Sequence, residues 1–356
     1  MDDSLPREAQ VVVIGGGIVG ASVAYHLTEM GWDDIVLLER KKLTSGTTWH
    51  AAGLVGQLRN SLNMTKLARY TADLYRNLEQ ETGQATGFRQ NGSISIATHI
   101  ERFEELKRNA SMAKVFDLTV DVIDVPEIKT RYPLINTEGI LGGIWTPSDG
   151  QVNPIDVTQS LIKGARLKGA QIFEDTLVTR ICHDGNQVTG VESERGPIKA
   201  RQVVICGGMW SRQLAAEAGV NIPLHACEHF YIVTEAIPGL PNTLPVLRDY
   251  DACVYYKEDA GKILLGAFEP VAKPWGMDGI KEDFCFDQLP EDIDHIQPIL
   301  EAAMSRVPVL AQTGIKMFFN GPESFTPDDR YHLGETAELG NLFIAAGFNS
   351  IGIQSA

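Results

Sequence analysis

The 356-residue sequence is short of positive charge, of paired cysteines and of long apolar runs, and each shortage closes off a class of protein. Lys and Arg number 31 against 46 Asp and Glu, a formal charge of −15, and no basic run occurs. Holding a phosphate backbone takes clustered positive charge, so a nucleic-acid binder is excluded. The cysteines, Cys182, Cys206, Cys227, Cys253 and Cys285, are widely spaced and form no CxxC pair. That argues against a disulfide framework or a zinc site and for buried thiols. His26, His99, His183, His225, His295 and His332 form no HxH or HExxH pair, so no metal site is expected. No apolar stretch approaches the roughly 18 residues that span a bilayer, and a soluble protein follows. The opening MDDSLPRE is acidic and carries neither a secretory nor an Arg-rich transit pattern, which makes the cytoplasm the default location.

What is present is ordinary globular material, 44% hydrophobic and 22% charged, long enough for two domains or one large α/β domain with an insertion. VVVI at 11–14 is the wholly apolar, β-branched run of a parallel strand covered on both faces. A helix over 21–30 follows, closed by Gly31, and IVLL at 35–38 makes a second buried strand ending in Glu39. Residues 11–39 therefore form one βαβ unit. Helices are expected over 64–84, 100–114, 155–169 and 291–306. Strands are expected at 94–96, 178–181, 188–191, 198–200, 202–206 and 342–346. Residues 225–285 carry alternating strand patterns, including 229–234 and 252–256, that suggest a mostly antiparallel sheet. Buried strands scattered among sheet-rich segments imply an α/β fold of two discontinuous, interleaved domains.

Gly15, Gly17 and Gly20 satisfy GxGxxG between a buried strand and a helix. There the first glycine makes the tight turn, the second admits a pyrophosphate to the backbone, and the third lets helix and strand pack closely. The helix N-terminus faces the phosphates. Glu39, nineteen residues after Gly20, stands where a carboxylate accepts hydrogen bonds from an adenosine ribose. These features leave NAD, NADP and FAD open. Glu39 disfavours a 2′-phosphate, although Arg40, Lys41 and Lys42 lie beside it. The small, polar segment at 43–54, LTSGTTWHAAGL, suits an extended ligand such as FAD, and a nicotinamide enzyme has no evident need of it.

The GGGIVG turn, TSGTTWHAAGL at 44–54, ETGQATGFRQNGSISIAT at 81–98, VVICGGMW at 203–210, GPESFTPD at 321–328 and AGFNSIG at 346–352 together resemble the flavin domain of the dimethylglycine dehydrogenase and sarcosine dehydrogenase family, in the D-amino-acid-oxidase-like class. LTSGTTWHAAGL and GPESFTPD look closer to sarcosine dehydrogenase, and relatives acting on 4-methylaminobutanoate share much of the pattern. The resemblance covers essentially the whole chain. It implies a discontinuous Rossmann-like FAD-binding domain (1–90, 155–220 and 321–356) interleaved with a mostly antiparallel-sheet substrate domain (91–154 and 221–320). It also implies that His50 of the TWHA motif carries the flavin covalently through its 8α-methyl carbon. Ile18 and Val19 would lie near the pyrophosphate, Glu39 and Arg40 at the ribose, and Gly46, Thr47, Thr48, Ala51, Gly53 and Leu54 along the flavin. Val178 would lie near adenine, and Gly347, Phe348 and Gly352 near the pyrimidine ring. Gly207 belongs to the following turn, and Trp210 either covers the cofactor or is plain core.

The activity implied is oxidative N-demethylation of sarcosine, dimethylglycine or a close relative, by hydride transfer to flavin N5. A primary-amine oxidase and a catalytically silent regulatory protein are the alternatives. His229 and Tyr255 match the family's active-site histidine and tyrosine, and both fall on expected strands. Side chains alternate along a strand, so Tyr256 points away from the face that Tyr255 takes. Arg330, Lys316 and Arg59 are candidates for the substrate carboxylate. The electron acceptor is oxygen, a flavoprotein or a quinone. Residues 351–356 should begin a helix that the chain does not finish. The family continues into a folate-binding half, so this sequence is expected to be the N-terminal portion of a longer protein, with tetrahydrofolate a ligand only of that later half.

Overall fold

The computed structural model describes residues 4–356, and the acidic start at 1–3 lies outside them. Strand β1 (Glu8–Ile14), helix α1 (Ile18–Glu29) and strand β2 (Ile35–Leu38) form the expected βαβ unit. β1 pairs in parallel with β2, Val11 opposite Ile35 and Ile14 opposite Leu38. The wholly apolar runs bury because both faces of this sheet are covered. On one face Val12, Val36, Val203 and Leu342 pack together, and on the other Val13, Leu37, Tyr25 and Leu161. Each large apolar side chain so buried contributes about 1.5–3 kcal/mol.

The main path of the sheet runs in the order His332–Glu335, Leu342–Ala346, Gly196–Ile205, β1, β2, Gln171–Phe173, and along this path all pairings are parallel except that of the first edge strand. The sequence suggests two strands at 198–200 and 202–206, but Gly196–Ile205 is one continuous strand. It keeps a parallel register with β1 from Lys199 to Ile205, while its first half also takes the antiparallel Val188–Ser193 strand, itself paired with Val178–His183.

A second eight-stranded sheet runs Ile315–Asn320, Phe230–Thr234, Lys262–Ala267, Val254–Asp259, Val246–Asp249, Ser93–Ala97, Gly142–Thr146, Asp121–Ile123. All its pairings are antiparallel except that of Val246–Asp249 with Ser93–Ala97. One face, with Phe230, Ile232, Tyr256 and Leu265, packs on the Ile293–Arg306 helix through Ile296, Ile299 and Ala303. The other carries Tyr231, Val233, Tyr255, Leu264 and Phe319 and packs on Trp49, Ala52 and Leu54. Tyr255 and Tyr256 thus take opposite faces, as alternation requires.

The other helices fall close to their expected places, with boundaries set by caps. Ser61 opens Leu62–Thr82 and Gly83, at φ +65°, closes it. The Asn153 side chain caps Pro154–Leu167, and His99 caps Ile100–Ala113. At the end of the sequence, where the pattern suggests the start of a helix, Ile353–Ser355 form a 3-10 turn. No helix among the described residues is long and apolar enough to cross a membrane.

The tightest constraint is at the glycine turn. A Cβ on Gly20 would lie 1.9 Å from the Gly15 carbonyl oxygen, and one on Gly15, at φ +114°, 2.5 Å from the Cys206 carbonyl oxygen. Backbone meets backbone at both places, so no side-chain rotation can relieve the clash. Gly20→Ala is expected to lower stability by at least about 1–3 kcal/mol. Urea denaturation checks this, and an unchanged midpoint would contradict the close packing of turn and helix.

Candidate active site

A cleft of about 460 Å³ opens over the C-terminal ends of β1 and β2. Its floor is the glycine turn, with Gly15, Gly17, Ile18 and Val19, where α1 starts. Glu39 lines it at the end of β2, its Oε2 accepting the Gly16 N–H at 2.7 Å and its Oε1 the Lys41 N–H at 2.9 Å. Burial outweighs these two bonds and the neighbouring Arg40 and raises the carboxyl's pKa. Arg40 lies over the Trp210 ring, 4.4 Å from its centroid, and donates to the Phe284 carbonyl.

Gly46, Thr47, Thr48, Ala51, Val178, Gly207, Gly347, Phe348 and Gly352 also line it. Trp210 is a cleft residue, in contact range of Gly46, and its Nε1 is buried without a partner. Gly20, His50, Gly53 and Leu54 stand behind the lining. Gly20 packs on the turn, Leu54 packs on the second sheet, and Gly53, at φ +75°, leaves no room for a Cβ beside the Val152 carbonyl oxygen at 2.2 Å.

His50 sits between the cleft wall and the second sheet. It is buried, its Nε2 has no partner, and a Cβ on Gly321 would fall 2.4 Å from its ring. Burial, with the charge of His229 adding, pushes its pKa down to about 4, so the ring is neutral. Trp49 meets it edge-on at 5.5 Å.

His229 immediately precedes the Phe230–Thr234 strand and is not part of it. Glu269 Oε1 accepts the Phe230 N–H at 3.0 Å, ending the ladder there, and its Oε2 holds His229 Nδ1 at 3.1 Å. Burial alone would lower the imidazole pKa, but the Glu269 hydrogen bond and the charges of Glu323 and Glu269 outweigh it and hold the pKa above 6.5. Phe268 lies 5.2 Å from the His229 ring and 5.9 Å from the Tyr255 ring. Tyr255 is buried, and burial together with Glu323 raises its phenol pKa, leaving a protonated donor.

Four functional candidates were not found in the sequence: Glu269, Glu323, Gly321 and Arg248. Gly321 and Glu323 lie within GPESFTPD, whose residue types alone gave them no role. Glu323 lines the cleft and accepts the Ser350 hydroxyl at 2.5 Å. Of the carboxylate candidates, Arg330 and Lys316 are exposed, while Arg59 is partly buried beside Arg248.

The residues present fit an FAD. The glycine turn leaves no room for a Cβ at Gly15 or Gly20, Glu39 lines the cleft at the end of β2, and Trp210 Nε1 and His50 Nε2 are buried polar atoms without partners. A nucleotide-binding cleft joined to an aromatic sheet face defines a flavin-dependent oxidoreductase. The chain belongs to the DAO family, FAD dependent oxidoreductase, whose profile matches residues 10–356. It is 42% identical to 4-methylaminobutanoate oxidase (formaldehyde-forming) of Paenarthrobacter nicotinovorans, over 99% of this chain and 42% of that one. It is 41% identical to human mitochondrial sarcosine dehydrogenase, over 98% of this chain and 38% of the relative. It is 40% identical to the mouse mitochondrial pyruvate dehydrogenase phosphatase regulatory subunit, over 99% of this chain and 40% of the relative. The chain therefore spans about two fifths of the length of these curated relatives. Among solved structures, L-proline dehydrogenase from P. horikoshii shares the fold at a TM-score of 0.89 and 25% identity, covering 99% of this chain and 91% of that one.

The two histidines titrate in opposite directions. His229, with its raised pKa, contributes stability below its ordinary value of 6.5 that is lost as pH rises through the folded value. Glu269→Gln removes the carboxylate charge and leaves one acceptor oxygen for two donors, so the His229 titration followed by imidazole NMR is expected to move down. An unmoved titration would disprove the pairing.

Proposed function

We propose that the protein oxidises an N-methyl amino acid, sarcosine, dimethylglycine or a close relative such as 4-methylaminobutanoate, with FAD bound in the cleft and attached through His50. The observation that carries this reading is His50 itself, a buried neutral imidazole with a free Nε2, set in a segment whose Thr48 and Ala51 line the cleft. Bound FAD supplies the hydride acceptor, N5, for the N-methyl carbon. The protein's part is to exclude water, orient the amine and take its proton.

Tyr255, Tyr231, Phe319 and Trp49 make an aromatic wall on the second sheet, with Tyr231 stacked on Phe319 at 4.6 Å. A rigid, largely apolar wall favours the neutral amine that hydride loss requires, and it fixes the reacting carbon, which supplies most of the rate advantage. His229 is the residue type suited to receive the amine proton near neutrality, and Glu269 orients its ring. The interleaved division of the chain into cofactor and substrate domains belongs to the same proposal. Five free cysteines suit a reducing compartment, and we place the protein in the cytoplasm. Any tetrahydrofolate-dependent step we assign to sequence outside this chain.

A second reading, a regulatory protein that keeps flavin without turnover, is favoured by the 40% identity to the phosphatase regulatory subunit. Anaerobic mixing with a panel of N-methyl amino acids and glycine separates the readings. Bleaching of the flavin by an N-methyl amino acid supports demethylation, bleaching by glycine alone supports a primary-amine oxidase, and none supports the regulatory protein.

Two variants test the assignments. After acid precipitation the yellow colour is expected to stay with wild-type protein and to be released from His50→Ala; colour lost from wild type would reject the linkage. His229→Ala is expected to slow flavin reduction by about 10²–10⁴-fold with the flavin spectrum nearly intact, as for loss of a general base. Stopped-flow reduction at the wild-type rate would return His229 to a packing role.

A further inference from the structure

Two short antiparallel strands, His225–Cys227 and Glu323–Phe325, meet at the cleft with Cys227 directly opposite Glu323. The same register carries on past them, where the Gly321 N–H donates to the His229 carbonyl at 2.9 Å and Phe230 stands opposite Asn320. His229 and Glu323 are therefore diagonal neighbours on one face of the ladder. Directly across from His229 is Gly321, which has no side chain, and the His50 ring takes that place, 2.4 Å from where a Cβ would be. Two imidazoles and one carboxylate thus converge around one glycine.

The carboxylate is the member without a counter-charge. Glu323 is buried and lines the cleft. Its Oε2 accepts the Ser350 hydroxyl at 2.5 Å, and among the described residues no Lys, Arg or His nitrogen pairs with it. The other carboxylates of the site are engaged, Glu269 by His229 and the Phe230 N–H, Glu39 by two backbone N–H groups. The charge of Glu323 is felt at both candidate catalytic groups. After burial and the Glu269 bond it helps to hold the His229 pKa up, and after burial it is the next cause raising that of Tyr255. A buried carboxylate is costly unless a positive group completes it.

We propose that Glu323 is a catalytic residue whose carboxylate stands against the substrate nitrogen and stabilises the positive charge that hydride loss creates there. This rests on the demethylation reading and deepens it. In that step the N-methyl carbon loses a hydride, and with it two electrons, to the bound flavin, while the nitrogen lone pair closes the C=N bond of an iminium cation. The amine is oxidised, and the proton it carried has already passed to His229. One small site thus gathers two positive charges, on the nitrogen and on the imidazole. A fixed carboxylate within reach of both stabilises the transition state more than it does the neutral amine.

The test titrates flavin-loaded protein with two compounds of one shape, read by their perturbation of the flavin spectrum. Glycine betaine carries a quaternary nitrogen, a permanent cation with no lone pair and so no hydride to lose, and 3,3-dimethylbutanoate is its uncharged tert-butyl counterpart. Wild type is expected to bind betaine at least about 10-fold more tightly, and Glu323→Gln to bind the two within about 2-fold of each other. Ser350→Ala keeps the carboxylate, loses its hydroxyl partner and should retain the preference. Glu323→Asp keeps the charge and should retain part of it, which covers the case in which Glu323→Gln does not fold. Flavin reduction by a saturating N-methyl amino acid should slow about 10²–10³-fold in Glu323→Gln, the loss expected when a preorganised charge is taken from a transition state. Binding of neither compound to wild type, equal binding of the two, or an unchanged preference in Glu323→Gln would overturn the proposal. So would a preference lost as fully in Ser350→Ala as in Glu323→Gln, since the carboxylate would then act only by holding the turn. Sarcosine reducing Glu323→Gln at the wild-type rate would overturn it too and leave the demethylation reading standing. A Glu323-dependent preference with no reduction by any N-methyl amino acid would overturn the catalytic role together with that reading and leave Glu323 a cation site only.

Discussion

Residues 44–57 have almost no regular structure of their own, only the short Thr48–His50 turn and the two-residue Leu54–Val55 strand, so their peptide groups must find partners elsewhere. They find them on both sheets. Thr44 N–H reaches the Gly16 carbonyl and Thr48 Oγ1 accepts the Ile18 N–H, which fixes one end to the glycine turn. Lys257 Nζ donates to the Ala52 carbonyl at 2.9 Å, which fixes the middle to the second sheet. The Gly53 carbonyl accepts from Val152, Gly56 donates to Gln354, and Gln57 donates to Asp149. The segment is therefore a strap whose conformation is dictated by two rigid bodies, and the cleft, the aromatic wall and the arginine pair are each positioned by it. Lys257 shows what this demands. It is buried, burial lowers its pKa, and the Ala52 carbonyl together with Asp259 on its own strand offsets part of the cost.

The strap explains how two histidines close in space have their pKa values pushed in opposite directions. His50 is sealed between Trp49 and Gly321, so desolvation dominates and the ring stays neutral. His229, joined to the same place through its carbonyl bond from the Gly321 N–H, has Glu269 on its Nδ1 and Glu323 nearby. When His229 carries a proton, its charge depresses His50 further. Environments that drive two like groups apart are how one fold gives the same residue type two different chemistries.

Local patterns carried the parts that depend on local geometry. The βαβ unit and its close-packed glycine turn were legible because strand, turn, helix start and the cleft-lining Glu39 all lie within 11–39, and the opposite faces of Tyr255 and Tyr256 follow from strand periodicity. Other features depend on pairing between distant segments. Gly196–Ile205 became one strand because β1 supplies a parallel partner across positions that read as a break. Arg248 sits in a strand of ordinary pattern, and only its pairing with the Tyr255 strand brings it to the site. Glu269 follows the last residue of a strand by two positions and carries no motif. His229 lies just before its strand because that carboxylate takes the Phe230 N–H.

The polar atoms left unsatisfied by the protein have a distribution of their own. Trp49 Nε1, His50 Nε2, Gln57 Nε2 and Arg59 Nε fall on the strap and the residues just after it, Trp210 Nε1 belongs to a residue that lines the cleft, and Ser211 Oγ follows it in sequence. Others, such as Asn91 Oδ1 and His295 Nε2, are scattered singly elsewhere. A buried group without a partner costs about 1–3 kcal/mol, so several of them on one short segment are a substantial local deficit. A ligand that engages several of these atoms recovers that deficit only in the folded state, and mass action then couples its binding to the stability of the chain. The strap is where the coupling acts, because it holds the unsatisfied atoms and the contacts between the two sheets on the same few residues.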